Sequence, residues 1–301
     1  LSMIWVPITL LAALAQTFRF MFQKKLRIDT LSTGGATFTR FFYSAPLIVL
    51  VAVLYSWMRE YELPITKPIF YVYAAAGGFC QVSATMCVVA LFQQRNFAVG
   101  IAFKKAEVLL AVGFGLLLLG EGISLLPLAA ICIGVIAVVI LSDTATLQGN
   151  EGARFFNRAT ALGLSCGVFF GLCAVLYRAS VLQVTAADVF ARSSFTLAVT
   201  ILIQLTGMSI YLYLREPGQI KAVAMAWKTA IWIGSLSLIG SLCWFTAFAL
   251  QNAAYVKAVG QVEILMSFAI SFYIFKESIQ KKEVIAIALL TLSIILLILL
   301  H

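Results

Sequence analysis

Ten apolar stretches of near membrane-spanning length, joined by short polar connections, constrain this chain more than any other feature. A helix needs roughly 20 apolar residues to cross a hydrocarbon core of about 30 Å, where no water is present to satisfy exposed peptide groups. The stretches run approximately over 3–22, 34–57, 69–92, 97–119, 125–141, 158–179, 187–214, 228–250, 253–275 and 283–300. Charged residues make up only 11% of the chain and apolar ones 62%, with a mean hydropathy of +1.03. Soluble domains carry about 25% charged residues. Too few charges remain here to coat a water-facing surface, so lipid must cover most of the outside. The expected fold class is an all-α polytopic membrane protein of ten helices. The first stretch lacks a basic leader and a small-residue cleavage site, so it reads as a span and not as a cleaved signal.

The stretches fall into two groups of five. The longest polar connection, SDTATLQGNEGARFFN from Ser142 to Asn157, lies near the middle. It divides the chain into a first repeat over 1–145, a linker over 146–157 and a second repeat over 158–301. A shift of 156 residues lays KKAEVLL around Glu107 on GQVEILM around Glu263, and Glu121 on Glu277, without a gap. FTRFF around Arg40 matches FARSS around Arg192 at a shift of 152. A repeat with an odd number of spans inserts its second copy upside down. Inverted repeats are characteristic of secondary transporters, which hold their site near the bilayer midplane where the repeats meet.

Other chemistries are excluded by what the chain lacks. The net charge of +9 includes no basic run longer than Lys24-Lys25 or Lys281-Lys282, so no phosphate-tracking stripe exists and no nucleic-acid partner is expected. Six cysteines lie inside apolar stretches without a C-x-x-C pair, and they read as packing residues. The sole histidine is His301. That rules out a His-ligated haem, a zincin or a Ser/His/Asp triad, and no cofactor, metal site or enzymatic constellation is expected. With no ATP-binding P-loop, any transport must draw on a proton gradient, on exchange or on the substrate gradient.

Charges inside spans are costly, at about 2.5–3.5 kcal/mol each on insertion scales, so they normally face a cavity or a partner. Glu107 and Glu263 sit near the middle of the fourth and ninth stretches. Lys104, one turn before Glu107, is placed to pair with it, while Lys105 points about 100° away. Arg19 and Arg40 lie inside the first two stretches, with Arg178, Arg192 and Lys257 in the second half. Glu107 and Glu263 are read as substrate, proton or gate residues, or else as ion pairs, Glu107 with Lys104 and Glu263 with Arg192 or Lys257. Counting Asp188 with the two glutamates, seven basic groups face three acidic ones, a net +4. Such a cavity favours a substrate bearing a carboxylate or phosphate. Trp244, Phe245 and Tyr255 are candidates for stacking on an apolar moiety, and Gln81 for hydrogen bonding to the solute. Gly163, Gly167 and Gly171 form a small-residue face for close helix packing.

Lys and Arg in or beside the odd-numbered connections number twelve, against three on the even side. That bias puts the odd connections in the cytoplasm.

These residues also carry a resemblance. Arg40 in FTRFF, Glu107 with GFGLLLLGE ending at Glu121, and AVGQVEILMSFAISFYIFKE with Glu263 and Glu277 resemble the drug/metabolite transporter superfamily, in particular its ten-span EamA-like members. The resemblance spans essentially the whole chain. It departs from the family pattern where Ala15-Gln16-Thr17 replaces a common Trp-Gly. It departs again where Val108 and Ile264, not proline, follow the mid-span glutamates. The resemblance implies an exporter or exchanger of small metabolites, a bacterial inner-membrane location and cytoplasmic termini, the last at odds with the charge bias. The expected partners are a small-molecule substrate, protons and membrane lipids, with the chain a monomer or homodimer. A phosphorylated-metabolite exchanger, a drug exporter, a membrane enzyme and a channel are the competing readings.

Overall fold

The computed structural model describes residues 3–29, 31–62, 64–91, 107–146, 158–186, 188–274, 276 and 281–299. Among these residues it is helical apart from the connecting turns and a ladder of two residues per strand. The helices are α1 (Trp5–Asp29), α2 (Thr33–Met58), α3 (Ile69–Leu91), α4 (Glu107–Leu119), α5 (Leu125–Thr146) and α6 (Arg158–Leu182). They continue with α7 (Val189–Arg215), α8 (Gln219–Met225), α9 (Trp227–Leu250), α10 (Ala253–Val259), α11 (Val262–Tyr273) and α12 (Lys281–Leu299). Strands β1 (Ile65–Thr66) and β2 (Val184–Thr185) pair antiparallel, Ile65 opposite Thr185. Among the described residues, seven helical segments are long and apolar enough to cross a membrane, the last of them Ala253–Ile270. Glu107–Leu119, Leu125–Ala137 and Val284–Leu299 are shorter apolar helices. The chain is thus an all-α polytopic membrane protein. Side chains such as Trp57, 76% exposed, Tyr213, Trp227 and Trp232 stand on its outside, where lipid takes the place of water and aromatic rings favour the headgroup level.

Two compact units make up the chain, Leu1–Val82 with Leu176–Gln251, and Ser83–Val175 with Asn252–His301. Each draws on both halves of the sequence. In the first unit α1 packs on α9, and α2 on α7 and α9. Phe70, Ala74 and Val184 form a buried core beside Phe195, Val199 and Ile203. The start of α2 is fixed by chemistry outside the spans. Ser32 Oγ accepts the Gly35 N–H at 2.8 Å and donates to Glu216, while Ser32 N–H donates to Gln219 Oε1 at 3.0 Å. Side chains at Gly34 and Gly35 would collide with Glu216 and Gln219. In the second unit α5 packs on α12, and α4 on α10. A Cβ at Gly171 would lie 2.9 Å from the Glu107 carbonyl oxygen, so the small-residue face on α6 brings its backbone against α4.

Three expectations are corrected. The stretch over 253–275 is not one helix but α10 and α11. At the junction Gln261 N–H bonds the Ala258 carbonyl and Glu263 N–H that of Gly260, the tighter 3₁₀ pattern that interrupts the α ladder. The first helix runs on to Asp29, beyond the expected limit of 22, so Lys24, counted with the loop cations, is buried within α1. Asp188, counted as an intramembrane acid, caps the N-terminus of α7. It accepts the Ala191 N–H at 2.7 Å and the Tyr55 hydroxyl at 2.7 Å, which is what a helix start with unsatisfied N–H groups selects. One feature was not foreseen: Gly120 at φ 66 and Lys276 at φ 56 are both left-handed, and they stand 156 residues apart, directly before Glu121 and Glu277.

Candidate functional site

In the second unit the buried charges come together. Glu107 opens the described part of α4 and is 1% exposed; Lys257 is in the last turn of α10 and is 6% exposed. Lys257 Nζ lies 3.3 Å from Glu107 Oε2 and 5.4 Å from the centre of the Phe170 ring. Burial strengthens such a pair, because little solvent is present to screen it, and the aromatic face adds a further attraction for the ammonium. Lys104 and Lys105 lie outside the described residues. A described partner of Glu107 is Lys257, 150 residues away, a pairing the sequence reading did not make. Glu263, fully buried, is in the first turn of α11, where the positive end of a helix dipole favours a carboxylate. The Glu263 carbonyl accepts the Ser267 hydroxyl at 2.6 Å. Tyr255 is half-buried on α10, one turn and less from Lys257.

Gln261, in the α10–α11 junction, is buried with an Oε1 that has no hydrogen-bond partner. A Cβ at Gly134 of α5 would come within 2.9 Å of that oxygen and 2.7 Å of Ser293 Oγ, which itself donates to the Ala130 carbonyl at 2.6 Å. The sequence signal for this cluster was weak: a glutamine beside Glu263, a serine and a glycine in distant apolar runs.

The first unit holds cations beside neutral groups. Arg40 is buried, with Nη2 donating to Ser241 Oγ at 3.0 Å and its guanidinium 5.0 Å from the Phe41 ring. Arg19 donates to Gln23 Oε1 at 2.9 Å, and Gln23 in turn donates to the Ala36 carbonyl. Arg192 is half-buried at the start of α7, with a buried Nε that has no hydrogen-bond partner. Arg178 is drawn to the Phe248 carbonyl near the end of α9. Trp244 donates its indole N–H to Gln16 Oε1 at 3.1 Å and stacks on Phe248 at 5.9 Å. Phe245 packs on Tyr177 with ring centres 4.5 Å apart. Both Trp244 and Phe245 are buried against protein groups, so in this conformation their faces serve packing.

Gln81 belongs to a cluster that sequence reading missed. Its Oε1 accepts the Tyr177 hydroxyl at 2.9 Å and Gln204 Nε2 at 2.8 Å. Gln204 Nε2 also reaches the Gly78 carbonyl and the Tyr177 hydroxyl, each at 3.1 Å. Gly77 and Gly78 make room, since a Cβ would lie 2.8 Å from the Tyr177 ring and 3.2 Å from Gln204 Cγ respectively. An amide inside the apolar run TILIQLTG was the available signal for Gln204.

No family model matches the chain, and no curated protein matches it. Among solved structures, one crystal structure of a protein is 15% identical over 96% of this chain and 99% of its own, with a TM-score of 0.67. At that identity the likeness is one of fold.

Proposed function

We propose that this chain is a secondary active transporter of small metabolites carrying an anionic or zwitterionic group, such as amino acids or organic acids, working by alternating access. One observation carries the reading: Glu107, Lys257 and Glu263 are buried within apolar helices, at α4 and at the broken segment α10–α11. Intramembrane ionisable groups are expensive and mark ion and substrate paths, and interrupted helices recur at transporter sites.

The ten-span inverted repeat and the likeness to EamA-like drug/metabolite transporters belong to the same proposal. The left-handed residues Gly120 and Lys276 support it, since both halves carry a positive φ at equivalent positions of the 156-residue spacing. Export or exchange across a bacterial inner membrane follows the resemblance. In this scheme Glu263 carries the coupling proton, and Glu107 with Lys257 forms a pair that a substrate anion competes for.

The test is reconstitution in vesicles with an imposed pH gradient, after a stabilisation screen with amino acids, organic acids, phosphorylated metabolites and cationic drugs. Glu263→Gln should abolish the pH dependence of transport in a folded protein. Transport that keeps its pH dependence in that variant removes Glu263 from the mechanism, and a solute-independent current would make the chain a channel.

A further inference from the structure

The outer face of α2 ends in a cavity. Leu50, Val53, Leu54 and Trp57 are all exposed, at spacings that put them on one side of the helix. The span ends at Met58, so that side runs up to the headgroup level of a bilayer, where Trp and Tyr rings settle. There Ser56, Trp57, Met58, Glu60 and Tyr61 line an open cavity of about 520 Å³. The chain leaves the helix through a Schellman ending. The Glu60 N–H bonds the Trp57 carbonyl at 3.2 Å, and the Tyr61 N–H bonds that of Ser56 at 2.9 Å. The pivot of such an ending is left-handed, and Glu60 takes it at φ 54. Glycine is the unstrained choice there, so a charged side chain is held at the cavity against local strain. The Glu60 carboxylate has no ion pair or hydrogen bond among the described residues. The Tyr61 wall is held in place. Its hydroxyl accepts from Arg59 Nη2 at 3.2 Å, the guanidinium lies 5.6 Å from its ring centre, and the Tyr55 ring meets it edge-on at 6.0 Å.

We propose that this cavity seats the headgroup of a membrane lipid that carries an ammonium, as phosphatidylethanolamine does, with the acyl chains along Leu50, Val53, Leu54 and Trp57. The ammonium meets the Glu60 carboxylate and the rings of Trp57 and Tyr61, a combination of charge and aromatic face that attracts a cation. The phosphate meets Arg59, exposed and next in the chain to Glu60, whose guanidinium has N–H donors beyond the one given to Tyr61. Two neighbouring residues of opposite charge thus match a zwitterionic headgroup. A lipid with an anionic headgroup and no amine sets its charge against Glu60 and is disfavoured. The apolar side of α2 leading into the cavity selects a lipid over a free soluble amine. The proposal rests on α2 as a membrane span and is independent of what the chain transports.

The purified full chain in detergent is titrated with phosphatidylethanolamine or phosphatidylglycerol of the same chain length. Lipid adducts are read by native mass spectrometry and stabilisation by thermal melting. The wild type should prefer phosphatidylethanolamine by about fivefold or more, as a carboxylate and two aromatic faces around an ammonium imply. Glu60→Gln should remove that preference, and Trp57→Leu should weaken phosphatidylethanolamine binding about threefold. Glu60→Gly should lose the preference too, yet melt no lower than wild type without lipid, because glycine relieves the left-handed strain. That variant separates a lost lipid site from a damaged fold. Phosphoethanolamine, which has the headgroup without acyl chains, should compete about a hundredfold less well or worse. Equal binding of the two lipids by the wild type, or a preference that survives Glu60→Gln, overturns the proposal. Competition by phosphoethanolamine as strong as by the lipid overturns it in favour of a soluble ligand. A lipid-free wild-type dimer that Trp57→Leu converts to monomer overturns it in favour of a second copy of the chain on this face.

Discussion

The two compact units neutralise buried polarity in different ways. The second places a full ion pair, Glu107 with Lys257, on facing helices. The first places Arg19 and Arg40 against the neutral oxygens of Gln23 and Ser241, and it builds Gln81, Tyr177 and Gln204 into an uncharged network. In an ion pair each member makes the other tolerable, so deleting one strands a charge. In a neutral cluster a deletion removes a hydrogen bond and leaves no new charge behind.

The largest expected effect breaks that contrast most directly. Lys257→Met should destabilise the chain by roughly 3–5 kcal/mol, the cost of leaving a buried carboxylate without its partner. Adding Glu107→Gln should recover most of the loss, as measured by a double-mutant cycle on unfolding in detergent. If the double variant is as unstable as the single ones combined, the pair does not hold this unit together. In the first unit, Ser241→Ala should cost less, roughly 1.5–3 kcal/mol, since it removes one acceptor from Arg40 and creates no new charge.

Packing offers a finer comparison inside the second unit. Gly171→Ala drives a methyl group to 2.9 Å from the Glu107 carbonyl, and about 1–3 kcal/mol of destabilisation is expected. Gly113→Ala on α4 meets nothing within 4 Å. It should be neutral, or stabilising by about 0.4–1 kcal/mol through the unfolded state. Thermal melts of the two variants side by side separate close helix approach from general glycine sensitivity.

A modest effect lies outside the spans, at Asp188. Burial pushes its carboxyl up, but the Ala191 N–H and the Tyr55 and Tyr61 hydroxyls outweigh that and leave it below the usual 3.8. A carboxylate depressed in the folded state adds stability above its unfolded value, and that stability is lost as pH falls through the lower folded one. Asp188→Ala should therefore cost about 1 kcal/mol at neutral pH, as loss of a helix N-cap does. The difference from wild type should shrink below about pH 4, the ordinary carboxylate range, in melts recorded across pH.

Particular residues mark how far the sequence could be read. The burial of Glu107 and Glu263 was legible, because each stands inside an apolar stretch where a charge needs a reason. The pairing of Glu107 with Lys257 was not. Within one helix only residues three or four apart are neighbours, which points to Lys104 and gives no sign of Lys257, 150 residues away. Gln81 was found as a polar group, but Tyr177 and Gln204, 96 and 123 residues away, were not. The junction at Gly260 and Gln261 was hidden too, because the flanking residues are as apolar as those of an unbroken span.

What the sequence determined by itself is the solvent: length and lack of charge in each apolar stretch force helices that satisfy their own peptide groups in lipid. Only the tertiary structure decided which side chains meet. The reason is physical. These helices are apolar almost all the way round, so the side facing lipid and the side facing protein carry similar residues, and periodicity cannot say which face turns inward. Contacts between helices then rest on close packing and on matching each buried donor with an acceptor, as at Gly171, Lys257 and Gln81. Those choices are made in three dimensions, between residues a hundred and more positions apart.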